Sequence, residues 1–236
     1  ENRFSDVCSF IEELNSINLQ VDDSSDKKNE NIANKLYEEG TAVMPSQEEI
    51  DTWVRNVISG EYNTGRYESA LEHFTEYAKM GNARAQYYLG EMYSYGRGVF
   101  RDYAKAVEWY RKSAERGNSK AQYSLGRMYE NGRCVSKDYV KAVEWYRKSA
   151  EQGNSKAQYS LGYMYRNGLG VSRDYAKAVE WYQKAAEQGN SKAQHILGHM
   201  YESGEGVSRD YAKAVEWYRK SAEQGYCYAQ EDIGRM

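Results

Sequence analysis

From residue 82 onward, apolar and small side chains return at the same places every 36 residues, and within each unit they fall into two stripes of helical spacing. In the unit beginning at Asn118 the first stripe runs through Ala121, Leu125, Gly126 and Tyr129, and the second through Ala142, Trp145, Tyr146 and Ala150. Polar residues and glycines punctuate these stripes. An aspartate precedes each second stripe (Asp102, Asp138, Asp174, Asp210) and predicts an N-cap; a glycine follows it (Gly117, Gly153, Gly189, Gly225) and predicts a stop. The first stripe opens at Asn or Ser, and Ser119 with Gln122, Ser155 with Gln158 and Ser191 with Gln194 have capping-box spacing. Between the stripes stand Gly96-Arg97-Gly98, Gly168-Leu169-Gly170 and Gly204-Glu205-Gly206, whose glycines can take positive φ. The pattern predicts a helix A, a glycine turn and a helix B, four times over. Gly126, without a Cβ, is placed to let the neighbouring helix approach closely.

The block at Asn118 matches the block at Asn154 at 28 of 36 positions, and the Asn154 and Asn190 blocks agree equally well. A unit of that size cannot bury a core alone, so the units are expected to stack. Residues 82–225 read as four regular repeats and residues 226–236 as a partial one, whose far side should expose an apolar face. Residues 46–81 read as a degenerate capping repeat. Ser46 and Glu49 form its capping box, Tyr67, Ala70, Phe74 and Ala78 keep the helix B columns, His73 replaces the tryptophan, and Trp53 falls in the Leu89 column. Residues 1–45 are an acidic helical extension and linker. Phe4, Val7, Cys8, Ile11 and Leu14 predict an amphipathic helix over 4–21, residues 22–30 a polar linker, and 32–39 a short helix.

The columns of residues 82–225 spell A-x3-L-G-x2-Y-x2-G-x-G-V, then D-x2-K-A-x2-W-Y-x-K-A-A-E-x-G, which resembles the Sel1-like repeat, a relative of the tetratricopeptide (TPR) repeat. Cys134 departs from it at a loop glycine, and Ser113, Ser149 and Ser221 at a helix B alanine. The per-repeat cysteine pairs of the family's disulfide-rich branch are missing. The resemblance implies an all-α, right-handed superhelical solenoid of TPR-like helix pairs with helix A lining the concave side. It also implies a non-enzymatic adaptor or scaffold; members of the family include immunity-type binders that block a specific partner.

Charge and composition narrow this further. The net charge of -3 divides into -6 over residues 1–45 and +3 over the remainder. A general nucleic-acid surface is not expected, nor a membrane span. The acidic helix at 4–21 could itself dock on the mildly basic array. Of the 24 tyrosines, fifteen fill four repeat columns, so aromatic richness is largely architectural. Cys8, Cys134 and Cys227 follow no period, and more than two repeats separate the last two, beyond the roughly 7 Å Cα reach of a disulfide. Free thiols favour a reducing compartment such as the cytoplasm, with a periplasmic or secreted location after signal removal as the other option.

Where copies are nearly identical, their differences are informative. The position two after the Leu125 column reads Glu91, Arg127, Tyr163, His199. Five after it stand Ser94, Glu130, Arg166, Glu202, and eight after it Arg97, Arg133, Leu169, Glu205. Such variation is either idle drift on solvent-facing positions or a surface read by a ligand position by position. The second reading places a partner-binding groove along these columns, beside Lys120, Lys156 and Lys192 and the column Tyr87, Tyr123, Tyr159, His195. Its central contacts are Arg127, Tyr163 and His199, and its occupant is a segment of another protein. The alternative function is end-to-end self-assembly through the partial repeat. His195, His199 and Glu202 have a spacing that sets three metal-ligand types on one helix face. With no fourth ligand in the pattern, they are read as groove columns, and neither metal nor cofactor is expected. The glycine loops lack the preceding strand of a phosphate cradle, and no nucleophile stands beside a base, so catalysis is not expected.

Overall fold

Asparagine and aspartate side chains decide where the helices of the four regular units begin. The computed structural model describes residues 45–235; the expected helices at 4–21 and 32–39 and the linker between them lie outside the described residues. Eleven α-helices follow in order: α1 (Gln47–Val57), α2 (Tyr67–Lys79), α3 (Ala83–Tyr95), α4 (Tyr103–Glu115), α5 (Ser119–Asn131), α6 (Tyr139–Glu151), α7 (Ser155–Asn167), α8 (Tyr175–Glu187), α9 (Ser191–Ser203), α10 (Tyr211–Glu223) and α11 (Cys227–Arg235). No strand occurs among the described residues. Each helix packs on its sequence neighbours, giving an all-α, right-handed solenoid of antiparallel pairs.

Helix B starts as expected. The carboxylates of Asp102, Asp138, Asp174 and Asp210 accept from the N–H three residues on. These bonds hold the carboxyls of Asp138 and Asp174 below the usual range. Helix A starts one residue earlier than the capping-box reading. Asn118, Asn154 and Asn190 are the N-caps, their Oδ1 accepting from Ala121, Ala157 and Ala193 N–H. The serines that follow are the first helical residues. Gln122, Gln158 and Gln194 do not reach back to the cap. Their Nε2 groups donate to the carbonyls of Ala114, Ala150 and Ala186 at the end of the previous helix B. Their Oε1 atoms accept from Gln152, Gln188 and Gln224, each at 2.7 Å. The result is a buried amide ladder that ties each helix A to the helix B before it and to the end of its own. One rung is missing: Gln86 donates to Ala78, but Arg116 stands where the other units have glutamine, and Gln86 Oε1 is buried without a partner.

Ala121, Leu125 and Met128 of helix A share a buried cluster with Ala106, Val107, Tyr110 and Ala114 of the helix B before it, as Ala85, Leu89 and Met92 do with Ala70, Phe74 and Ala78. Against its own helix B, helix A is pressed closest at a glycine. The close approach at Gly126 is real: a Cβ there would lie 2.7 Å from two ring carbons of Tyr146. Trp145 is less buried than the sequence pattern suggests. It and its equivalents are half-exposed, with Lys112, Lys148, Lys184 and Lys220 ammonium groups 4.2–4.9 Å from the four ring centroids. The lysine stems cover the indoles while the charges stay in water. Ser113, Ser149 and Ser221 are fully buried and donate to the carbonyls of Ala83, Ser119 and Ser191, which explains how hydroxyls replace alanine there.

The turns between A and B use positive φ twice. Gly96, Gly132, Gly168 and Gly204 cap helix A in the left-handed region, and Gly98, Gly170 and Gly206 repeat that conformation two residues later. These second glycines press on the start of the preceding helix B, where a Cβ would come within 2.8 Å of backbone atoms of Tyr67, Tyr139 and Tyr175. Cys134 occupies the same position in the second regular unit at φ 53. A side chain there strains the backbone and is incompatible with the approach the other three loops make. Cys134→Gly is expected to raise stability by about 0.5–1 kcal/mol, the left-handed penalty exceeding the entropy lost to a freer unfolded chain. A urea midpoint that falls would reverse this assignment.

The 36-residue frame does not extend cleanly into the first unit. Gly60 falls in the Gly96 column but lies inside a π-helical turn (Ile58–Tyr62) that prolongs α1. Val54, Ile50 and Val57 supply the buried face, while Trp53 is half-exposed against Tyr77. The Ser46–Glu49 capping box is formed as expected.

Candidate partner-binding face

The helix A residues singled out by sequence divide into three groups. Lys120, Lys156, Lys192 and Arg127 are exposed, and Tyr163 is 42% exposed. Tyr87, Tyr123 and Tyr159 are half-buried, their rings 5.6–6.0 Å from the buried tyrosines of their own helix B. Burial pushes all three phenols up, so they stay protonated. Arg127 lies over the ring of Tyr123, and Lys120 reaches the ring of Tyr87 in the preceding unit. Through the Lys120 contact this strip of side chains is joined from the first regular unit to the second.

The remaining members are committed to the fold. Glu91 accepts from the Tyr110 hydroxyl at 2.7 Å, Glu130 from Tyr146, and Glu202 from Tyr218 at 2.6 Å. The variable columns therefore exchange one task. The carboxylate that receives the buried tyrosine proton comes from the first column in one unit and from the second in two others. In the third unit neither column supplies it; Arg166 instead pairs with Glu205 of the next loop at 2.9 Å. These columns are less free of the core than their position beyond the leucine stripe suggests.

His195 and His199 are brought together, but Glu202 is not their third partner. Glu202 lies 3.6 Å from Nδ1 of His199, whereas the Nε2 atoms of both histidines face Asp232 of α11. His195 is buried at 9% exposure, and desolvation lowers its pKa.

Two clefts open along the strip. One, of about 500 Å³, lies beside Arg55, Arg84, Tyr87, Tyr88 and Lys120. The other, of about 360 Å³, lies between the first two regular units and includes Glu91, Tyr95, Arg101, Arg127 and Arg133. Tyr95, 58% exposed, escapes the sequence reading although a signal exists: its column otherwise reads Asn131, Asn167, Ser203. Within the described residues, no helix is long and apolar enough to cross a membrane.

No curated protein sequence matches this chain. Among solved structures, a protective antigen with an SLR fold from uropathogenic Escherichia coli is 38% identical with a TM-score of 0.72, the match covering 80% of this chain and 40% of that one. A Sel1 repeat protein from Oxalobacter formigenes is likewise 38% identical at TM-score 0.72, covering 77% of this chain and 74% of its own. An immunity protein from Pseudomonas aeruginosa shares the fold at 24% identity and TM-score 0.53, over 81% of this chain and 72% of that one. The Sel1 repeat pattern matches residues 83–118, 119–154, 155–190 and 191–226 without a gap. The helix pairs, their glycine turns and these four consecutive matches make this chain a member of the Sel1 repeat family.

Proposed function

We propose that this protein is an adaptor that holds an acidic segment of a partner protein along the helix A face, with Arg127 and Tyr163 as central contacts. The observation that carries this reading is the chemistry of the two clefts. Each sets three cationic side chains (Arg55, Arg84 and Lys120 in one, Arg101, Arg127 and Arg133 in the other) beside tyrosine rings. Arginine and tyrosine are the usual sources of interface energy, and an excess of one charge sign selects and steers a partner of the other. Sel1 repeats are non-catalytic scaffolds for protein–protein interaction, which fits a face of this kind. Lys156 and Lys192 continue the strip, while His199, tied to Asp232, stands at its edge. Engagement of this kind serves equally for tethering a partner or, as a specific inhibitor or immunity-type binder, for blocking one.

The test compares proteins retained by the intact chain with those retained by Arg127/Tyr163→Ala, quantified by mass spectrometry. A partner depleted about tenfold or more on the variant, and released by added salt, is the expected result. Equal retention on both forms would overturn the helix A reading and direct attention to the outer side of α11, where Tyr228 is 58% exposed. Self-association there would appear as a concentration-dependent mass in light scattering.

A further inference from the structure

Two of the places where the last regular unit departs from its copies lie four residues apart. His195 stands where Tyr87, Tyr123 and Tyr159 stand, and His199 in the column of Glu91, Arg127 and Tyr163. Their Nε2 atoms converge on one oxygen of Asp232, at 2.8 Å and 3.1 Å. The three ligand atoms all lie within 4.8 Å of one another. His195 and Asp232 are 9% and 7% exposed, while the His199 side chain, 39% exposed, forms the open side of the cluster. We propose that His195, His199 and Asp232 form a binding site for a divalent transition metal of the zinc type, which fastens α11 to α9.

The hydrogen bonds around the cluster leave a place for a cation. The Tyr218 hydroxyl has one proton and two neighbours, Glu202 Oε2 at 2.6 Å and His199 Nδ1 at 2.8 Å. The carboxylate is the stronger acceptor and takes that proton. The phenol oxygen is then left to accept from Nδ1–H of His199. In that tautomer Nε2 of His199 carries a lone pair that faces the Asp232 carboxylate, acceptor against acceptor. Only a positive charge between them, a proton or a metal ion, makes this contact favourable.

The geometry suits a metal. Bonds of about 2.0–2.1 Å to a tetrahedral zinc ion set neighbouring ligand atoms about 3.3 Å apart. The two nitrogen–oxygen distances fall short of that by a few tenths of an ångström, whereas the full spread of the three atoms reaches 4.8 Å, so the imidazoles must rotate toward each other to close on the ion. Two imidazoles with one carboxylate favour zinc and its neighbours over magnesium or calcium, which take oxygen ligands. Tyr218 and Glu202 provide the outer hydrogen bonding that fixes a ligating histidine ring. Arg235 holds the other oxygen of Asp232 and leaves Oδ2 to the site. Three protein ligands leave a fourth position for water or for a donor from a bound partner.

The test uses the full chain, stripped with a chelator, with Zn2+ titrated by calorimetry and Co2+ followed by its visible absorption. One saturable site and a four-coordinate Co2+ spectrum without a thiolate band are expected. His195→Tyr restores the residue of the other units, so it removes a ligand while keeping the repeat, and it should abolish saturable binding. Asp232→Asn should weaken it at least about tenfold. Cys134→Ser/Cys227→Ser should leave it unchanged, because neither thiol belongs to the site. Absence of saturable binding, its survival in His195→Tyr, or its loss with the cysteines would each overturn the proposal, the first leaving a proton as the bridging cation.

Discussion

Truncating Tyr146 to alanine is expected to cost about 3–5 kcal/mol, enough to unfold the central units of the array. The ring is fully buried and fills the hollow left by Gly126, so no neighbour can collapse into the space it leaves. Removing only the hydroxyl separates packing from hydrogen bonding. Tyr146→Phe should cost about 1–2 kcal/mol, because Glu130 loses a donor in a partly buried setting. Tyr110→Phe and Tyr218→Phe should behave alike through Glu91 and Glu202. Tyr182→Phe should cost under about 0.5 kcal/mol, since in its unit both columns, Tyr163 and Arg166, lack a carboxylate. Urea midpoints of the four phenylalanine variants decide the matter. A uniform loss across all four would mean that the carboxylates do not carry the difference.

Gly126→Ala should destabilise the protein by about 2 kcal/mol, against the ordinary helix scale. Alanine in a helix interior gains about 1 kcal/mol over glycine. Here the new methyl would lie 2.7 Å from Tyr146 ring carbons and 3.3 Å from the Ala142 carbonyl. The ring is gripped on all sides and anchored through its hydroxyl, so the clash must be relieved by moving helices apart, at a cost of about 1–3 kcal/mol or more. Gly234→Ala is the control. A methyl group on that helical glycine would meet nothing within 4 Å, and the same substitution should be neutral or mildly stabilising. If Gly126→Ala also proved stabilising, the close packing of helix A on helix B would be wrong.

Much of this architecture is legible in the sequence because repetition turns single residues into columns. Aspartate before each helix B, glycine after it, and glycine opposite tyrosine each have one physical explanation, and four copies of each leave little choice. The helix A start differs by one residue because Asn118 and Ser119 are both good caps and spacing alone cannot choose between them. The division of labour between Glu91 and Glu130 is hidden for a different reason. Each column on its own varies freely, and only the shared tyrosine hydroxyl shows that two columns compensate for each other. Asp232 escapes the sequence reading because it meets His195 across 37 residues, one more than the period, from a column it shares with Ile196. Column reading compares like with like and does not see contacts between unlike positions of successive units.

The broken rung at Gln86 gives the array a direction. A rod of identical joints pulled from both ends stretches evenly and parts anywhere, whereas a rod with one weaker joint yields there first. Here that joint is the first regular unit, where Arg116 replaces the glutamine and the amide clasp of the three later units is missing. A partner that strained the solenoid would open it from that side, lengthening the Tyr95–Arg127 cleft while the stiffer units beyond kept their grip.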